Sequence, residues 1–219
     1  MQLRAGTAQA LFPPGPVFLE QFGPPPPAEL APQERAAVAT ATPRRVAEFA
    51  ATRELARRAL VALGLGPAAL PKGADGSPSW PEGVVGTLTH CAGYRAVALA
   101  RRSTALALGL DAEPEAPLPP RLVGRIATPR EREALAKLGG SDPYERLLFC
   151  AKEAAFKANA ALGGEVAGLL ELEVVLEGGL RAGSFSILPV CGVDRRLVGA
   201  CGRWLIADGI LRAAVTVLA

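Results

Sequence analysis

Histidine is almost absent from this chain: His90 is the only one in 219 residues. The four cysteines, Cys91, Cys150, Cys191 and Cys201, form no C-x-x-C pair. Neither a structural zinc site nor a disulfide framework is therefore expected. Aromatic residues make up only 5% of the chain, and the charge excess is +3 with a pI near 8.8. That excess is too small to indicate nucleic acid as a partner, which needs a clustered basic face. No run approaches the roughly 18 uninterrupted apolar residues of a membrane span. Arg4 is followed by a short apolar run broken at Pro13 and Pro14, which is no secretory signal. G-x-S-x-G, G-x-x-x-x-G-K-[ST] and G-x-G-x-x-G in strand–helix context are all missing, and with them the signatures of serine hydrolases, P-loop enzymes and dinucleotide oxidoreductases. The expectation is a soluble, cytoplasmic protein of a reducing compartment, with neither nucleic acid nor membrane as a partner.

What the chain does have is apolar mass, 50% of it, much as alanine, punctuated by 24 glycines and 20 prolines. A chain of this length buries roughly 70% of its extended surface and needs no covalent staple. Pro24–Pro27 reads as a loop and Glu29–Thr40 as a short helix. Thr42-Pro43 is an N-cap followed by proline at the first helical position. It opens a helix to Leu63, with an apolar stripe of Val46, Phe49, Ala56, Leu60 and Leu63 and a stop at Gly64. After a loop from Pro71 to Pro81 the period changes to two, and Val84–His90, Tyr94–Arg101 and Ala105–Asp111 read as strands. Pro114–Pro120 is a second proline-rich loop. Thr128-Pro129-Arg130-Glu131 is a capping box starting a helix to Gly139, and Asp142-Pro143-Tyr144-Glu145 starts a longer one to Leu162. The remainder reads as strands at Leu170–Leu176, Ser184–Leu188, Gly202–Ala207 and Ile210–Leu218, with Asp208-Gly209 as a two-residue hairpin. The pattern predicts an α+β protein, sandwich-like, of two similar lobes (1–113 and 114–219), each a long helix on antiparallel strands.

Three places could carry chemistry. In Gly109-Leu110-Asp111-Ala112-Glu113 the two carboxylates lie two apart on a strand and so share a face. Such a pair repels unless a cation intervenes, and an all-oxygen donor set favours Mg²⁺ or Mn²⁺; the alternative is a solvated strand end. In Cys150-Ala151-Lys152-Glu153-Ala154-Ala155-Phe156-Lys157, Glu153 and Lys157 lie four apart on one helical face. They are either a surface ion pair, or Glu153 is a third metal carboxylate or a general base, with Lys152 and Lys157 meeting phosphate. Arg44 and Arg45 occupy a helix first turn, where the dipole disfavours cations. With Arg53 they form either an anion site or a solvated basic face.

Taken in order, Arg44-Arg45-Val46-Ala47-Glu48-Phe49 with Arg53, Lys72-Gly73-Ala74-Asp75-Gly76, Trp80-Pro81, Gly86-Thr87-Leu88-Thr89-His90-Cys91, Gly109–Glu113 and Phe149–Lys157 resemble one family. It is the 4′-phosphopantetheinyl transferases of the surfactin/enterobactin-synthetase-activating type, and the stretch around His90 is most similar to their actinobacterial branch. The resemblance implies a monomer of two pseudo-twofold lobes with coenzyme A bound between them. It also implies transfer of phosphopantetheine to a serine of an apo acyl- or peptidyl-carrier protein, releasing adenosine 3′,5′-bisphosphate. The carriers would serve fatty-acid, polyketide or nonribosomal peptide synthesis. By the same resemblance Asp111, Glu113 and Glu153, with the Ala112 carbonyl, hold Mg²⁺ or Mn²⁺, and Glu153 is the candidate base for the carrier serine, directly or through a water. Lys152 and Lys157 contact phosphates, and Arg45, Arg53 and His90 hold the 3′-phosphate. Lys72, Gly73, Ala74, Asp75 and Thr89 line the nucleotide site. Thr89 stands where many members carry serine, and Asp75 where near relatives carry lysine. Two other readings are a non-catalytic carrier- or nucleotide-binding module and a metal-dependent phosphoesterase of coenzyme A.

Overall fold

A computed structural model of the chain describes residues 8–73, 76–137, 143–165, 168–188 and 192–219. The fold is α+β, with two antiparallel sheets that each carry one long helix. The smaller sheet runs β1 (Val17–Phe22), β3 (Tyr94–Arg101), β2 (Val84–Cys91). The larger runs β4 (Ala105–Pro114), β8 (Ile210–Leu218), β7 (Cys201–Ala207), β6 (Ala182–Ile187), β5 (Val174–Gly178). Ladder pairing reproduces the expected Asp208-Gly209 hairpin, where both residues adopt positive φ, 55° and 71°. Among the described residues no helix is long and apolar enough to cross a membrane.

Helix α1 (Pro32–Arg35) is a single turn followed by a 3-10 turn, shorter than the helix expected over 29–40. Helix α2 (Pro43–Ala62) begins where the cap predicts, with Thr42 Oγ1 accepting from the Arg45 N–H at 3.4 Å. It buries Leu55, Ala56, Ala59 and Leu60 against Val84, Val97 and Leu99 of the smaller sheet. Val46 and Phe49, expected on that stripe, are only half-buried, because this end of the helix lines open clefts. Helices α3 (Pro120–Ile126) and α4 (Pro129–Lys137) lead to α5 (Tyr144–Ala161). The Thr128–Glu131 capping box closes both ways: Thr128 N donates to Glu131 Oε2 at 2.8 Å, and Glu131 N donates to Thr128 Oγ1 at 3.2 Å. The expected stop at Gly139 and cap at Asp142 lie outside the described residues.

Helix α5 packs on the larger sheet through Ala151, Ala154, Ala155 and Ala158. It comes closest at Gly109, where a Cβ would stand 1.9 Å from the Ala154 carbonyl oxygen. Only glycine permits that approach, and the approach brings the end of β4 under α5. Strand β4 itself pairs with β8, with Asp111 opposite Ala213, and not with the strands that precede it in the chain. Its other side is closed by side chains of β2. Thr87 Oγ1 accepts from Leu110 N at 3.1 Å, and Thr89 Oγ1 accepts from Ala112 N at 3.2 Å. The sheets are joined again by a buried cluster from β1, β3 and β8. Tyr94 donates to Glu20 Oε2 at 2.8 Å, and Arg212 Nε donates to the Tyr94 hydroxyl at 3.0 Å. Neither β1, between prolines, nor α3 was expected from sequence patterning.

Candidate functional site

Strand β2 is the wall between two groups of charges. Its alternate residues face opposite ways, as strand geometry requires. Leu88 packs with α2, and His90 beyond it opens into a cleft under α2, while Thr87 and Thr89 face β4.

The cleft on the α2 side has a volume of about 250 Å³. Arg45, Arg53, Lys72, Gly76 and His90 line it, so three cations and the chain's histidine, spread over 45 residues of sequence, meet in one place. Of the two arginines that open α2, Arg44 turns outward to Glu48, 3.0 Å away. Arg45 is in hydrogen-bonding contact with His90 Nε2. An arginine can only donate, so that nitrogen accepts and the ring is neutral. Burial, reinforced by Arg45, holds the His90 pKa below the usual imidazole range, in keeping with that state. Arg53 is 3% exposed; its guanidinium lies 4.3 Å over the Phe49 ring, and its Nε donates to the Leu70 carbonyl at 2.9 Å. Lys72 and Gly73 belong to a small hairpin, closed by Gly73 N to Ser77 O at 2.7 Å and Ser79 N to Pro71 O at 2.8 Å. Ala74 and Asp75 lie outside the described residues. A larger cavity of about 800 Å³ adjoins the cleft but is lined chiefly by alanine, valine, proline and leucine, so the basic side chains gather in the smaller one.

On the other side of β2, Asp111 and Glu113 share the face of β4 turned to α5. Asp111 Oδ1 accepts from Thr89 Oγ1 at 3.1 Å and from Lys157 Nζ at 2.8 Å, and Lys157 also donates to the Leu110 carbonyl at 2.9 Å. Lys157 therefore pairs with Asp111 and not with Glu153 as helical spacing suggested. Glu113 accepts from Arg146 Nη1 at 2.8 Å. Burial first, then the neighbouring Asp111, pushes the pKa values of Glu113 and Glu153 upward, with Glu113 adding to the effect on Glu153. After burial, Glu113 and Asp111 push the Cys91 thiol up to about 12, so it is no nucleophile. Asp111 Oδ2 is buried without a hydrogen-bond partner. An all-oxygen set with one orphaned carboxylate oxygen and mutually repelling neighbours fits a hard divalent cation. Among the described residues, however, no three such side chains already enclose one point.

Lys152 requires a correction. It is 0% exposed, and its Nζ donates to Glu131 Oε2 and to the Ile126 carbonyl, both at 2.6 Å. It faces the core beneath α3 and α4, away from both groups of charges, because one residue along a helix turns the side chain by about 100°. The structure thus gathers Arg45, Arg53, Lys72, Gly73 and His90 on one side of β2, and Thr89, Asp111, Ala112, Glu113, Glu153 and Lys157 on the other. Lys152 belongs to neither. Arg146, on Glu113, and Glu48, 3.9 Å from His90, stand beside these groups and were passed over in the sequence. Arg146 lies seven residues before Glu153 on one helical face, a spacing that marks it.

Two family models match the chain: the 4′-phosphopantetheinyl transferase N-terminal domain over residues 33–100, and the 4′-phosphopantetheinyl transferase superfamily over residues 107–188. The chain is 45% identical over 198 residues to the 4′-phosphopantetheinyl transferase Svp of Streptomyces mobaraensis, covering 87% of this chain and 79% of the relative. It is 40% identical over 194 residues to Npt of Nocardia iowensis, covering 84% and 87%. It is 33% identical over 205 residues to PptT of Mycobacterium tuberculosis, covering 90% of each.

Proposed function

Because the chain belongs to the 4′-phosphopantetheinyl transferase superfamily, we propose that it moves the phosphopantetheine of coenzyme A to a carrier-protein serine at the seam between its two sheets. The observation that carries this reading is the gathering of Arg45, Arg53, Lys72 and His90 in one cleft, one strand away from Asp111, Glu113, Glu153 and Lys157. Coenzyme A has an isolated 3′-phosphate and, a few bonds away, a pyrophosphate. The cleft takes the first and the carboxylate side of β2 takes the second.

In this reading Arg45 and Lys72 donate to the 3′-phosphate, and Arg53, held over Phe49, adds fixed positive charge. Lys157 stands where the pyrophosphate oxygens arrive. A divalent cation held by Asp111, Glu113 and Glu153, with the Ala112 carbonyl, would neutralise charge on those oxygens. Glu153, its pKa raised, accepts the proton of the carrier serine. The serine oxygen forms its bond to the phosphorus on the pantetheine side. The bond from that phosphorus to the bridging oxygen breaks, and adenosine 3′,5′-bisphosphate departs. Little covalent work falls to the protein; positioning and charge do the rest. We take the protein to act as a monomer on carriers of fatty-acid, polyketide or nonribosomal peptide synthesis.

Incubation with coenzyme A, Mg²⁺ and an apo-carrier panel, read by intact mass, tests the reading. One phosphopantetheine gained on a carrier supports it. Breakdown of coenzyme A without carrier gain would indicate a phosphoesterase, and neither change would indicate a binding module; the relatives support neither alternative. The cleft has its own test, since dephospho-CoA lacks the 3′-phosphate. A charge-assisted phosphate contact is worth about 1.5–3 kcal/mol, so Arg45→Ala and Arg53→Ala should weaken coenzyme A roughly ten- to a hundredfold and dephospho-CoA much less.

A further inference from the structure

Glu34 is a fully buried carboxylate that the proposed reaction does not use. It is 0% exposed, and both its oxygens are committed. Oε1 accepts from the backbone N–H of Leu70 at 2.8 Å and from Arg57 Nη1 at 3.1 Å. Oε2 accepts from the Ala31 N–H at 3.0 Å and from the same Arg57 nitrogen at 3.1 Å. Arg57 Nη2 also donates to the Glu29 carbonyl at 2.8 Å. A buried carboxylate is costly unless it is paired and hydrogen-bonded, so an arrangement this complete is a built feature.

Its location gives it a meaning beyond stability. Leu70 is gripped at both ends of its backbone: Glu34 takes its N–H, and Arg53 donates to its carbonyl. The described residues that follow, Pro71–Gly73 and Gly76–Ser79, are the two sides of the small hairpin and carry Lys72 and Gly76 into the cleft. Glu34 is also the negative charge that acts on Arg53 and offsets the repulsion from Arg57 and Arg45. One carboxylate, 36 residues away in sequence, thus anchors the root of the hairpin and accompanies the buried arginine that holds the other side of Leu70.

We propose that Glu34 is a positioning residue for coenzyme A. Through the Leu70 peptide it sets the spacing between Arg53 and Lys72, and so tunes the cleft to a phosphate group. This rests on the reading of the cleft as the 3′-phosphate site. Glu34→Gln keeps the volume but places N–H groups where the Ala31 and Arg57 donors need an acceptor. The double variant Glu34→Gln/Arg57→Gln removes both charges, leaving neither partner as a lone buried ion.

The experiment compares wild type, both Glu34 variants and Arg53→Ala in transfer assays with coenzyme A and with dephospho-CoA at one salt concentration. Hydrogen exchange over residues 68–80 is followed alongside. The expected result for the Glu34 variants is faster exchange in 70–79, a KM for coenzyme A raised roughly tenfold, a smaller rise for dephospho-CoA, and kcat unchanged. A folded variant with wild-type KM, unchanged protection in 70–79, or a loss confined to kcat overturns the proposal. If the single variant does not fold, the double variant decides; if that also fails to fold, Glu34 is a folding residue only and the proposal falls. Arg53→Ala separates the two levels. Equal weakening of both ligands there overturns the cleft reading, while exchange in 70–79 still judges whether Glu34 anchors the hairpin.

Discussion

Thr89 and Asp111 join the two sheets at the centre of the site. The Thr89 hydroxyl donates to Asp111 Oδ1 at 3.1 Å and receives the Ala112 N–H at 3.2 Å. The next residue along β2, His90, faces the opposite side and meets Arg45. One strand end therefore fixes the carboxylate side and the cation cleft relative to each other.

This relationship predicts different outcomes for two substitutions at Thr89. Thr89→Ser keeps the hydroxyl and should retain transfer. Thr89→Val keeps the shape but leaves the buried Ala112 N–H unsatisfied and Asp111 short of a donor. An unmet buried partner costs about 1–3 kcal/mol, so Thr89→Val should melt earlier and lose transfer together. Melting curves and turnover at saturating coenzyme A check it; equal behaviour of the two variants would count against the seam.

A second prediction separates the two lysines of α5. Lys152→Ala strands Glu131 in the core, and breaking a buried pair this way costs about 3–5 kcal/mol. Its melting temperature should fall steeply, while the remaining folded protein binds coenzyme A normally. Lys157→Ala should lose transfer with a smaller fall in melting, since Lys157 lies partly open to solvent and Asp111 keeps the Thr89 hydroxyl as a donor. Weakened coenzyme A binding in folded Lys152→Ala would restore that lysine to the phosphate site.

The reach of the sequence follows the range of the contacts. Thr42-Pro43, the Thr128–Glu131 box and Asp208-Gly209 are local signals, and each closes as written. The shared face of Asp111 and Glu113 follows from strand alternation alone. Lys152 was misplaced although helical geometry held the correction: five residues turn the helix by about 140°, so Lys152 and Lys157 cannot serve one site. The same geometry marks Arg146, in line with Glu153 and Lys157. No local rule reaches the rest. The pairing of β4 with β8 joins residues about a hundred apart in sequence, and Glu20, Tyr94 and Arg212 meet from three strands. Strand β1 pairs with β3 across more than seventy residues and lies between prolines, which obscured it.

A third prediction concerns Glu153 without metal. Burial and then Asp111 raise its pKa above the ordinary 4.5, so the folded state binds that proton more tightly than the unfolded chain. By linkage, its contribution to stability is full below the unfolded value and is lost as pH rises through the folded one. Glu153→Gln removes the titration. In metal-free protein it should therefore melt higher than wild type at neutral pH, and the gap should close towards pH 4. In a chain of this size each kcal/mol corresponds to roughly 2–4 °C. Transfer should be lost in the same variant. Unchanged or lowered melting at pH 7 would show that Glu153 is not held in a repelling cluster.

The last prediction turns on His90, the chain's only histidine. Its pKa lies below the usual imidazole value because it is half-buried, with Arg45 next to it and Glu48 only partly compensating. In the free protein it is neutral, its Nε2 accepting from Arg45. A 3′-phosphate in the cleft brings negative charge, which favours the imidazolium and raises the pKa in the complex. Binding coenzyme A should then take up a proton. The affinity gain from this uptake is full below the free-protein pKa and disappears as pH rises through the pKa of the complex. The phosphate complicates the comparison, since it titrates near pH 6 itself and loses charge on acidification. His90→Gln resolves this by removing the imidazole and leaving the phosphate. Wild type should hold its preference for coenzyme A over dephospho-CoA as pH falls from 8 towards 6, while His90→Gln loses it. Calorimetry in buffers of different ionisation enthalpy measures the proton directly: greater uptake with coenzyme A than with dephospho-CoA in wild type, and a smaller difference in His90→Gln. Identical proton uptake in the two proteins would mean that His90 does not touch the 3′-phosphate, leaving Arg45 and Lys72 to hold it.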